Sequence, residues 1–410
     1  MGPAHLLAAL SYATDLDYEK CHCNSWRMAL VAQRLALMVA PEIRQDVFYG
    51  ALMQHIGSVG TSDHIIYVNK DHRRADDSNG LDHCSKSSII LRWLPGMQSI
   101  AQYVSEHHRW YRGLRREDRA TGGEIQLGSQ ILGLVDIASQ TDCFRSPITL
   151  STGLHAIAGL TGRAWRRELW IALVESTKDS KFYLRMMNTA ALPSMILEAI
   201  EEIGVPPALD TDTGVERVLH LFSVLVDLKD RSTAGHSLRT ASYAKSLATY
   251  MGLSHEDTHQ AYRAGLVHDC GRFGIPTDLL SKPGRLSSRE MEIVRLHAGM
   301  TIKALTCLPM TTDICELANI AGHDHERFDG QGYPDKLQGN DIPLISRILG
   351  VADAFDAMVS STGYRLLTPR GAAVRLVQNA GSQFDPQVVD AMLTMVRESG
   401  LLNERQIRAA

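Results

Sequence analysis

The sequence predicts an all-α protein built from two helical bundles in tandem, and three observations support this fold class. Apolar residues recur at helical spacing along most of the 410-residue chain. The alternation typical of strands does not extend over any long stretch. The two halves of the chain also resemble each other, which indicates that one helical domain is present twice.

Helical periodicity is clearest in the second half. In the stretch HSLRTASYAKSLATYM, one helix face carries Leu238, Ala241, Ala244, Leu247 and Met251. Clusters of Pro and Gly, as in GIPTDLLSKPG and FDGQGYPDKLQG, predict loops between the helices. We therefore expect helices joined by loops of modest length.

A linker is predicted near the middle of the chain. The stretch GVPPALDTDTG combines adjacent prolines, which end a helix, with Asp and Thr residues that can cap the next one. We therefore expect a first domain over residues 1–204, a linker over 205–214 and a second domain over 215–410. The chain is also too long for one ordinary hydrophobic core.

Pairs of similar segments, in the same order in both halves, indicate a tandem duplication. The segment SQILGLVDIASQ in the first half matches SRILGVADAFDA in the second, and ALMQHIGSVG matches GLVHDCGRFG. His83 lies opposite His297, and Asp136 lies opposite Asp353. Gaps of a few residues reconcile all of these pairs, so chance similarity is a poor explanation.

Composition excludes several classes of function. A formal charge of -4 and a pI near 6.5 argue against a binder of polymeric nucleic acid and against a membrane-surface protein. Seven cysteines without framework spacing indicate reduced thiols. No run reaches the roughly 18 apolar residues of a membrane-spanning helix, and the N-terminus lacks a leader pattern. We expect a soluble, cytoplasmic protein.

In the second half, ionisable residues interrupt apolar helix faces. They are His236, His268, Asp269, His297, Asp324, His325 and Asp353. A single histidine on an apolar face is more often a hydrogen-bonded core residue than a ligand. Asp353 is different, because it shares a helical stripe with Ile345 and Leu349, where an unpaired carboxylate would be costly.

An adjacent His-Asp pair is suited to binding two metal ions, because a carboxylate can bridge two cations while the imidazole binds one of them. Histidines from other helices and a further carboxylate would complete the coordination of ions about 3.5–4 Å apart. A hydroxide between such ions is a nucleophile at neutral pH, and both ions stabilise an in-line displacement at phosphorus. This set of residues favours phosphoester hydrolysis over redox chemistry.

Residues 230–395 resemble the HD-GYP family of HD-type metal-dependent phosphohydrolases, whose members cleave cyclic dinucleotides, chiefly cyclic di-GMP. The matching motifs are GHSLR, AGLVHDCGRFGIP, LSKPGRLS, RLHAGM, HDHERFDGQGYP, DIPLISRILGVADAFDAM and FDPQVV, in that order. The resemblance implies two tandem HD-type helical bundles. It also implies a dinuclear or trinuclear site for divalent transition metals, iron or manganese, with nickel, cobalt or magnesium as alternatives.

Roles follow from the resemblance position by position. One metal would be held by His236, His268, Asp269 and Asp353, and the other by the bridging Asp269 with His297, Asp324 and His325. The resemblance makes Asp269 and Arg272 catalytic residues. Arg272, Tyr333, Pro334 and Arg365 would contact substrate, and Glu326 would orient a ligand histidine from outside the coordination shell.

Four positions depart from the family pattern. Asp324 replaces a histidine, and Ser232 replaces the glutamate of members with a third metal, so we expect a dinuclear site. Arg272 replaces a lysine, which keeps the charge but offers a planar fork. Thr362 replaces an arginine, which leaves Arg365 and can weaken binding or relax specificity toward cyclic GMP-AMP.

The first half keeps the scaffold and loses much of this chemistry. Asn24 lies opposite His236, the pair Gln54-His55 lies opposite His268-Asp269, and GLRRED replaces the Gly-Tyr-Pro loop. We interpret this half as a degenerate domain that senses, regulates or dimerises. Four histidines could still hold one transition metal, or they could be relics with hydrogen-bonding roles: His55, His83, His107 and His108.

The leading hypothesis is a phosphodiesterase that opens cyclic di-GMP or cyclic GMP-AMP to a linear dinucleotide through a metal-bridging hydroxide. The alternative is a catalytically weak sensor or adaptor that acts through protein partners such as diguanylate cyclases. Other HD enzymes, such as nucleotidases acting on monomers, fit less well because the Gly-Tyr-Pro loop is intact. The family also suggests a homodimer.

Overall fold

Helices form nearly all of the regular structure of the protein. The computed structural model describes residues 2–17, 20–21, 23–60, 83–112, 125–230, 234–309, 312–360 and 366–398. Within these ranges, two strands of two residues each, Leu16–Asp17 and Lys20–Cys21, pair with one another. The prediction of an all-α fold is confirmed.

The chain folds into two compact units. Apart from two short pieces, the boundary between them falls between Val218 and Leu219. That boundary lies inside the helix Asp212–Lys229, which we call α11. The predicted linker includes the non-helical residues 205–211, which hold both prolines. The assignment of a degenerate domain to residues 1–204 and a catalytic domain to 215–410 stays a prediction.

Ten further helices are described in the first unit. They are α1 (Pro3–Thr14), α2 (Asn24–Val39), α3 (Arg44–Met53), α4 (His83–Leu91), α5 (Gln98–Glu106), α6 (Leu127–Gln140), α7 (Pro147–Ile157), α8 (Arg167–Ser176), α9 (Ser180–Met187) and α10 (Leu192–Ile203). Short 3-10 turns occupy Pro41–Ile43, Ile56–Ser58, Ala158–Leu160 and Thr189–Ala191. α2 packs against α3 and α6 in the centre of this unit.

The helices described in the second unit after α11 carry the predicted site. They are α12 (His236–Tyr250), α13 (His255–Val267), α14 (Thr277–Leu280), α15 (Ser288–Leu305), α16 (Thr312–Ala321), α17 (Leu344–Ser360), α18 (Pro369–Gln378) and α19 (Pro386–Glu398). The 3-10 turns are Cys270–Gly274 and Gly339–Asp341. α12 packs against both α13 and α17.

Side-chain caps fix several helix starts. The Ser287 hydroxyl accepts the N–H of Glu290, whose carboxylate in turn accepts the N–H of Ser287, which forms a capping box at α15. Ser146 and Thr149 form the same motif at α7. Because the first N–H groups of a helix lack partners within it, such caps define where the helix begins.

Each unit has its own apolar core. In the first unit, the ring of Trp26 is fully buried, and its Nε1 donates to the carbonyl of Ala8 at 3.1 Å. In the second unit, Phe222 of α11 and Phe355 of α17 are buried. Close packing of this kind holds the helices that carry the polar site in fixed positions. Among the described helices, none is both long and apolar enough to cross a bilayer.

Candidate metal centre

The second unit brings the seven predicted metal ligands into one region. His236 is the first residue of α12, and His268 and Asp269 follow α13. His297 lies within α15 and Asp353 within α17. Asp324 and His325 lie in the turn after α16. Most of these side chains are buried, which is unusual for so many ionisable groups.

His236 lies between two carboxylates of α17. Its Nε2 is 2.9 Å from Oδ1 of Asp353, and its Nδ1 donates to Oδ2 of Asp356 at 2.8 Å. Arg239, one turn further along α12, donates to both oxygens of Asp356, at 2.8 and 3.0 Å. Asp356 thus fixes the orientation of the imidazole, and Arg239 fixes Asp356.

His268 directs its Nε2 toward the centre. Its Nδ1 donates to the carbonyl of Gly265 at 2.9 Å, which leaves Nε2 as the free ring nitrogen. That nitrogen lies 3.5 Å from Oδ2 of Asp269 and 3.8 Å from Oδ1 of Asp353. It is buried, and no described residue hydrogen-bonds to it. The ring is oriented as a ligand would be.

His297 and His325 approach Asp269 from the other side. The Nδ1 of His297 donates to the carbonyl of Val294 at 2.6 Å. Its Nε2 lies 3.4 Å from Oδ1 of Asp269 and 3.0 Å from Nε2 of His325. Asp269 is therefore flanked by His268 on one side and His297 on the other, which is the position expected of a bridging carboxylate.

The candidate ligands form three overlapping groups. Within each group, one ligand atom of each residue lies within 4.8 Å of those of the others. The groups are His236, His268 and Asp353; Asp269, His297 and His325; and Asp324, His325 and Asp353. Both oxygens of Asp269 and both oxygens of Asp324 are buried and have no hydrogen-bond partner among the residues that the structure describes. Arg272 compensates part of the charge of Asp269. The mixture of buried carboxylate and imidazole donors fits divalent metal ions.

In the protein without metal, burial and neighbouring charges shift the pKa values of the ionisable groups of the centre. Burial would raise the pKa of the Asp269 carboxyl, but Arg272 and the nearby histidines hold it well below its usual value. Burial raises the pKa of Asp324 against the opposing effect of His325. Burial and then His325 lower the pKa of His297 to about 3, so this imidazole is neutral, the form that binds a metal.

Arg272 faces the metal centre rather than open solvent. Its Nε lies 2.8 Å from Oδ1 of Asp269, and its Nη1 lies 3.1 Å from Oδ2 of Asp230. The side chain is 17% exposed. The structure therefore gives this predicted catalytic and substrate-binding residue an immediate role in holding the carboxylate of Asp269.

A cleft with a volume of about 220 Å³ opens beside Asp324, His325 and Asp353. Tyr333 lines it, with its ring centroid 5.0 Å from that of His325. Pro334 follows Tyr333 through a cis peptide bond.

Three arginines also line this cleft, and they differ in their partners. Arg327 pairs with Asp329, and Arg347 pairs with Asp385, each at 2.6 Å. Arg295 has its guanidinium carbon 5.4 Å from the centroid of the Tyr333 ring and, in the described part of the chain, no ion pair. Arg295 is thus the lining arginine whose charge is available to an anion.

Glu326 makes a different contact from the one expected, and Arg365 cannot be compared. Glu326 does not hydrogen-bond to a ligand histidine; its Oε1 accepts the N–H of Asp335 at 2.7 Å, and its Oε2 has no partner in the described chain. The loop after Tyr333 folds back on Glu326, which accounts for this difference. Arg365 lies outside the described residues, as do Ser232 and Thr362.

Sequence reasoning missed three residues of this site: Asp230, Arg295 and Asp356. Asp356 lies one helical turn after Asp353, so the spacing in DAFD could have revealed a second acid on the same face. Arg295 precedes His297 by two residues, and only the fold turns it toward Tyr333. No local pattern identifies Asp230, because its partner Arg272 is distant in sequence.

Comparisons with known proteins agree with this arrangement. A protein-family profile described as an HD domain matches residues 220–388, which include all seven candidate ligands. The 3'3'-cGAMP-specific phosphodiesterase 3 of Vibrio cholerae serotype O1 is 30% identical over 316 residues, which cover 75% of this chain and 65% of that protein. A cyclic di-GMP phosphodiesterase of Pseudomonas aeruginosa is 34% identical over 317 residues, which cover 73% of each.

The fold is also that of a solved structure. The crystal structure of a cyclic GMP-AMP specific phosphodiesterase of V. cholerae matches with a TM-score of 0.67 at 22% identity, over 98% of this chain and 99% of that one. This chain spans less than two-thirds of the length of several curated relatives, 44 to 65% for three of them from V. cholerae.

Proposed function

Because the chain belongs to the HD-GYP family of HD-domain proteins, we propose that it is a metal-dependent phosphodiesterase that hydrolyses a cyclic dinucleotide to the linear dinucleotide. The observation that carries this proposal is the pair of buried carboxylates, Asp269 and Asp324, whose oxygens accept no hydrogen bond within the described chain and which lie among histidine nitrogens. Such a donor set is costly unless it binds metal.

The donors divide between two sites. His236, His268 and Asp353 would hold one ion, His297, Asp324 and His325 would hold the other, and Asp269 would bridge them. When bound, a metal pair of this kind supplies the Lewis acidity that activates water and neutralises charge at phosphorus. Iron or manganese suits the mixture of imidazole and carboxylate donors, and nickel, cobalt or magnesium are the alternatives.

The chain's own residues prepare the donors for this task. Asp356 and Gly265 each accept the Nδ1–H of a histidine, so that the Nε2 of His236 and of His268 face the centre. Arg272 holds Asp269 in its ionised form through an ion pair at 2.8 Å. The histidine contacts orient the ring nitrogens toward the centre, and the ion pair keeps Asp269 charged, as metal binding requires.

The substrate would lie in the cleft beside Tyr333. The Tyr333 ring offers a face for a base or ribose, and Arg295 offers a cation for a phosphate. Pro334 and Arg365 complete the proposed substrate contacts. Relatives named for cyclic GMP-AMP and relatives named for cyclic di-GMP have similar levels of sequence identity to this chain. We therefore propose both nucleotides as candidate substrates.

A catalytically weak sensor or adaptor is the second candidate, and the placement of Arg272 favours it. Its guanidinium lies between two carboxylates, Asp269 and Asp230, which leaves it less available to a substrate phosphate. In this version the chain would bind the nucleotide and act through a homodimer or a diguanylate-cyclase-type partner. Both versions place the protein in the cytoplasm.

The decisive experiment measures turnover of cyclic di-GMP and cyclic GMP-AMP, side by side, by protein purified anaerobically and reconstituted with iron or manganese. Bound metal is counted in the same samples. Metal-dependent release of the linear dinucleotide, abolished in Asp269→Asn, supports the hydrolase. Tight nucleotide binding without product in the fully metallated protein supports the sensor instead.

A further inference from the structure

Four histidines of the first unit form a compact cluster that has no role in the proposed hydrolysis. His55 follows α3, His83 begins α4, and His107 and His108 follow α5. One ring nitrogen from each lies within 4.8 Å of those of the other three. The ring centroids of His107 and His108 are 4.2 Å apart, and those of His83 and His108 are 4.7 Å apart.

A buried carboxylate of α6 lies beside this four-histidine cluster. Asp136 is 2% exposed, with Oδ1 3.2 Å from Nε2 of His55 and Oδ2 3.1 Å from Nε2 of His108. The contact with His108 is a hydrogen bond, so Asp136 fixes the orientation of that ring and faces the ring of His55.

Several ring nitrogens of the cluster are oriented for a cation. The Nδ1 of His107 donates to the carbonyl of Val104 at 2.6 Å, so its Nε2 carries a lone pair when the ring is neutral. The Nε2 of His55 is buried, and its approach to Asp136 does not have hydrogen-bond geometry. The ring of His107 is buried and that of His55 is 14% exposed, and a bound cation would offset the free-energy cost of burying their polar nitrogens.

The backbone around the cluster is built like that around the metal centre of the second unit. Ser87 in the first unit and Thr301 in the second each accept the N–H of a glycine, Gly57 and Gly271 respectively, at 2.8 and 2.9 Å. Each hydroxyl then donates to the carbonyl three residues before that glycine, at 2.9 and 2.8 Å. The two units hold corresponding ligand positions with the same hydrogen bonds.

We propose that the four-histidine cluster binds one first-row transition-metal ion that prefers imidazole, such as Zn²⁺. One ion is expected rather than two, because His55 stands where the second unit has Asp269, and an imidazole cannot bridge two ions through a pair of oxygens. The nitrogen-rich shell disfavours Mg²⁺ and Ca²⁺, which select oxygen donors. Asp136 orients His55 and His108 and offsets part of the charge of the ion.

This site has a structural role in the first unit. Four imidazoles can fill a tetrahedral shell, which is typical of structural zinc sites, whereas hydrolytic sites keep a position open for water. The ion would tie together the segments after α3 and α5 and the start of α4. Metal bound here would stabilise the first unit without taking part in turnover.

The test counts metal in the full chain after reconstitution with Zn²⁺ and removal of unbound ion. The double variant His83→Gln/His108→Gln should bind one equivalent fewer than wild type. His155→Gln is the matched control, because His155 is an exposed histidine of α7 in the same unit. It should keep the wild-type count, and all three proteins should have the same helical circular dichroism.

A second variant keeps the test informative if the double variant misfolds. His268→Ala/Asp269→Ala disables the centre of the second unit and leaves the four-histidine cluster intact. This chain should retain one Zn²⁺, with an X-ray absorption spectrum that shows a shell of histidine nitrogens. An unchanged count in folded His83→Gln/His108→Gln, or no zinc in folded His268→Ala/Asp269→Ala, would overturn the proposal.

Discussion

Asp356 and His236 are joined by a hydrogen bond of 2.8 Å between Oδ2 and Nδ1. The carboxylate is fully buried and also accepts hydrogen bonds from two guanidinium nitrogens of Arg239. Because Nδ1 is occupied, His236 can offer only Nε2 to a metal, and that atom faces Asp353. The orientation of the first candidate ligand thus depends on a residue that touches no reacting group.

We expect Asp356→Asn to lower metal affinity by roughly 10–100-fold, the usual effect of losing a carboxylate that orients a ligand histidine. The amide keeps the shape of the side chain and loses the charge that holds both His236 and Arg239. Chelator competition measures the affinity, and turnover at saturating metal measures the remaining chemistry. Asp390→Asn, at an exposed position of α19, is the control. Equal affinities in the two variants would contradict this role.

Arg272→Gln should destabilise the metal-free protein by about 3–5 kcal/mol, because it removes the charged partner of a buried carboxylate. Asp269 would lose an ion pair at 2.8 Å. Urea unfolding without metal measures the change, with exposed Arg375→Gln of α18 as the control. Saturating metal should reduce the difference in unfolding free energy between Arg272→Gln and wild type, because bound cations then neutralise the charge of Asp269. If metal-free Arg272→Gln were as stable as the control, the ion pair would have no structural importance.

Arg295→Gln should raise the KM for the cyclic dinucleotide about tenfold, the effect of losing one charge-assisted hydrogen bond to phosphate. The metal count should not change, because Arg295 contacts Tyr333 rather than a candidate ligand. Steady-state kinetics with both nucleotides provides the measurement, and Arg289→Gln, exposed earlier on α15, is the control. An unchanged KM would place the phosphates elsewhere in the cleft.

The helices leave local signals in the sequence, and the family motifs indicated which ionisable residues to expect as candidate ligands. Helical periodicity and capping residues lie within one element, and the pair His268-Asp269 is adjacent in the chain. The all-α prediction is confirmed, and the seven candidate ligands do come together. The assignment of individual ligands to each metal stays a prediction.

The supporting contacts could not be predicted in the same way. Arg239 and Asp356 are 117 residues apart, and Arg272 and Asp230 are 42 apart, so only the packed helices bring them together. Glu326 illustrates the same limit, because its family motif predicts a role in orienting a ligand histidine, whereas its Oε1 accepts the N–H of Asp335 in a loop whose path the motif does not specify.

Gly350 provides a test of how closely α17 must approach the metal centre. A Cβ built on Gly350 would lie 2.5 Å from the carbonyl oxygen of Asp324, a backbone atom that cannot move alone. Gly350→Ala should therefore shift the turn that carries Asp324 and His325. We expect a loss of about 1–3 kcal/mol in unfolding free energy, the usual effect of overpacking, together with a lower metal count.

Gly299→Ala is the matched control, because a Cβ at Gly299 of α15 meets no atom within 4 Å. Alanine has the higher helix propensity, so this variant should be as stable as wild type or more stable, by up to about 1 kcal/mol. Thermal unfolding and metal analysis are carried out on both variants. The comparison separates the general effect of alanine on helix stability from the effect of displacing the turn that carries Asp324. If Gly350→Ala kept full metal content and stability, the position of Asp324 would not depend on its contact with α17.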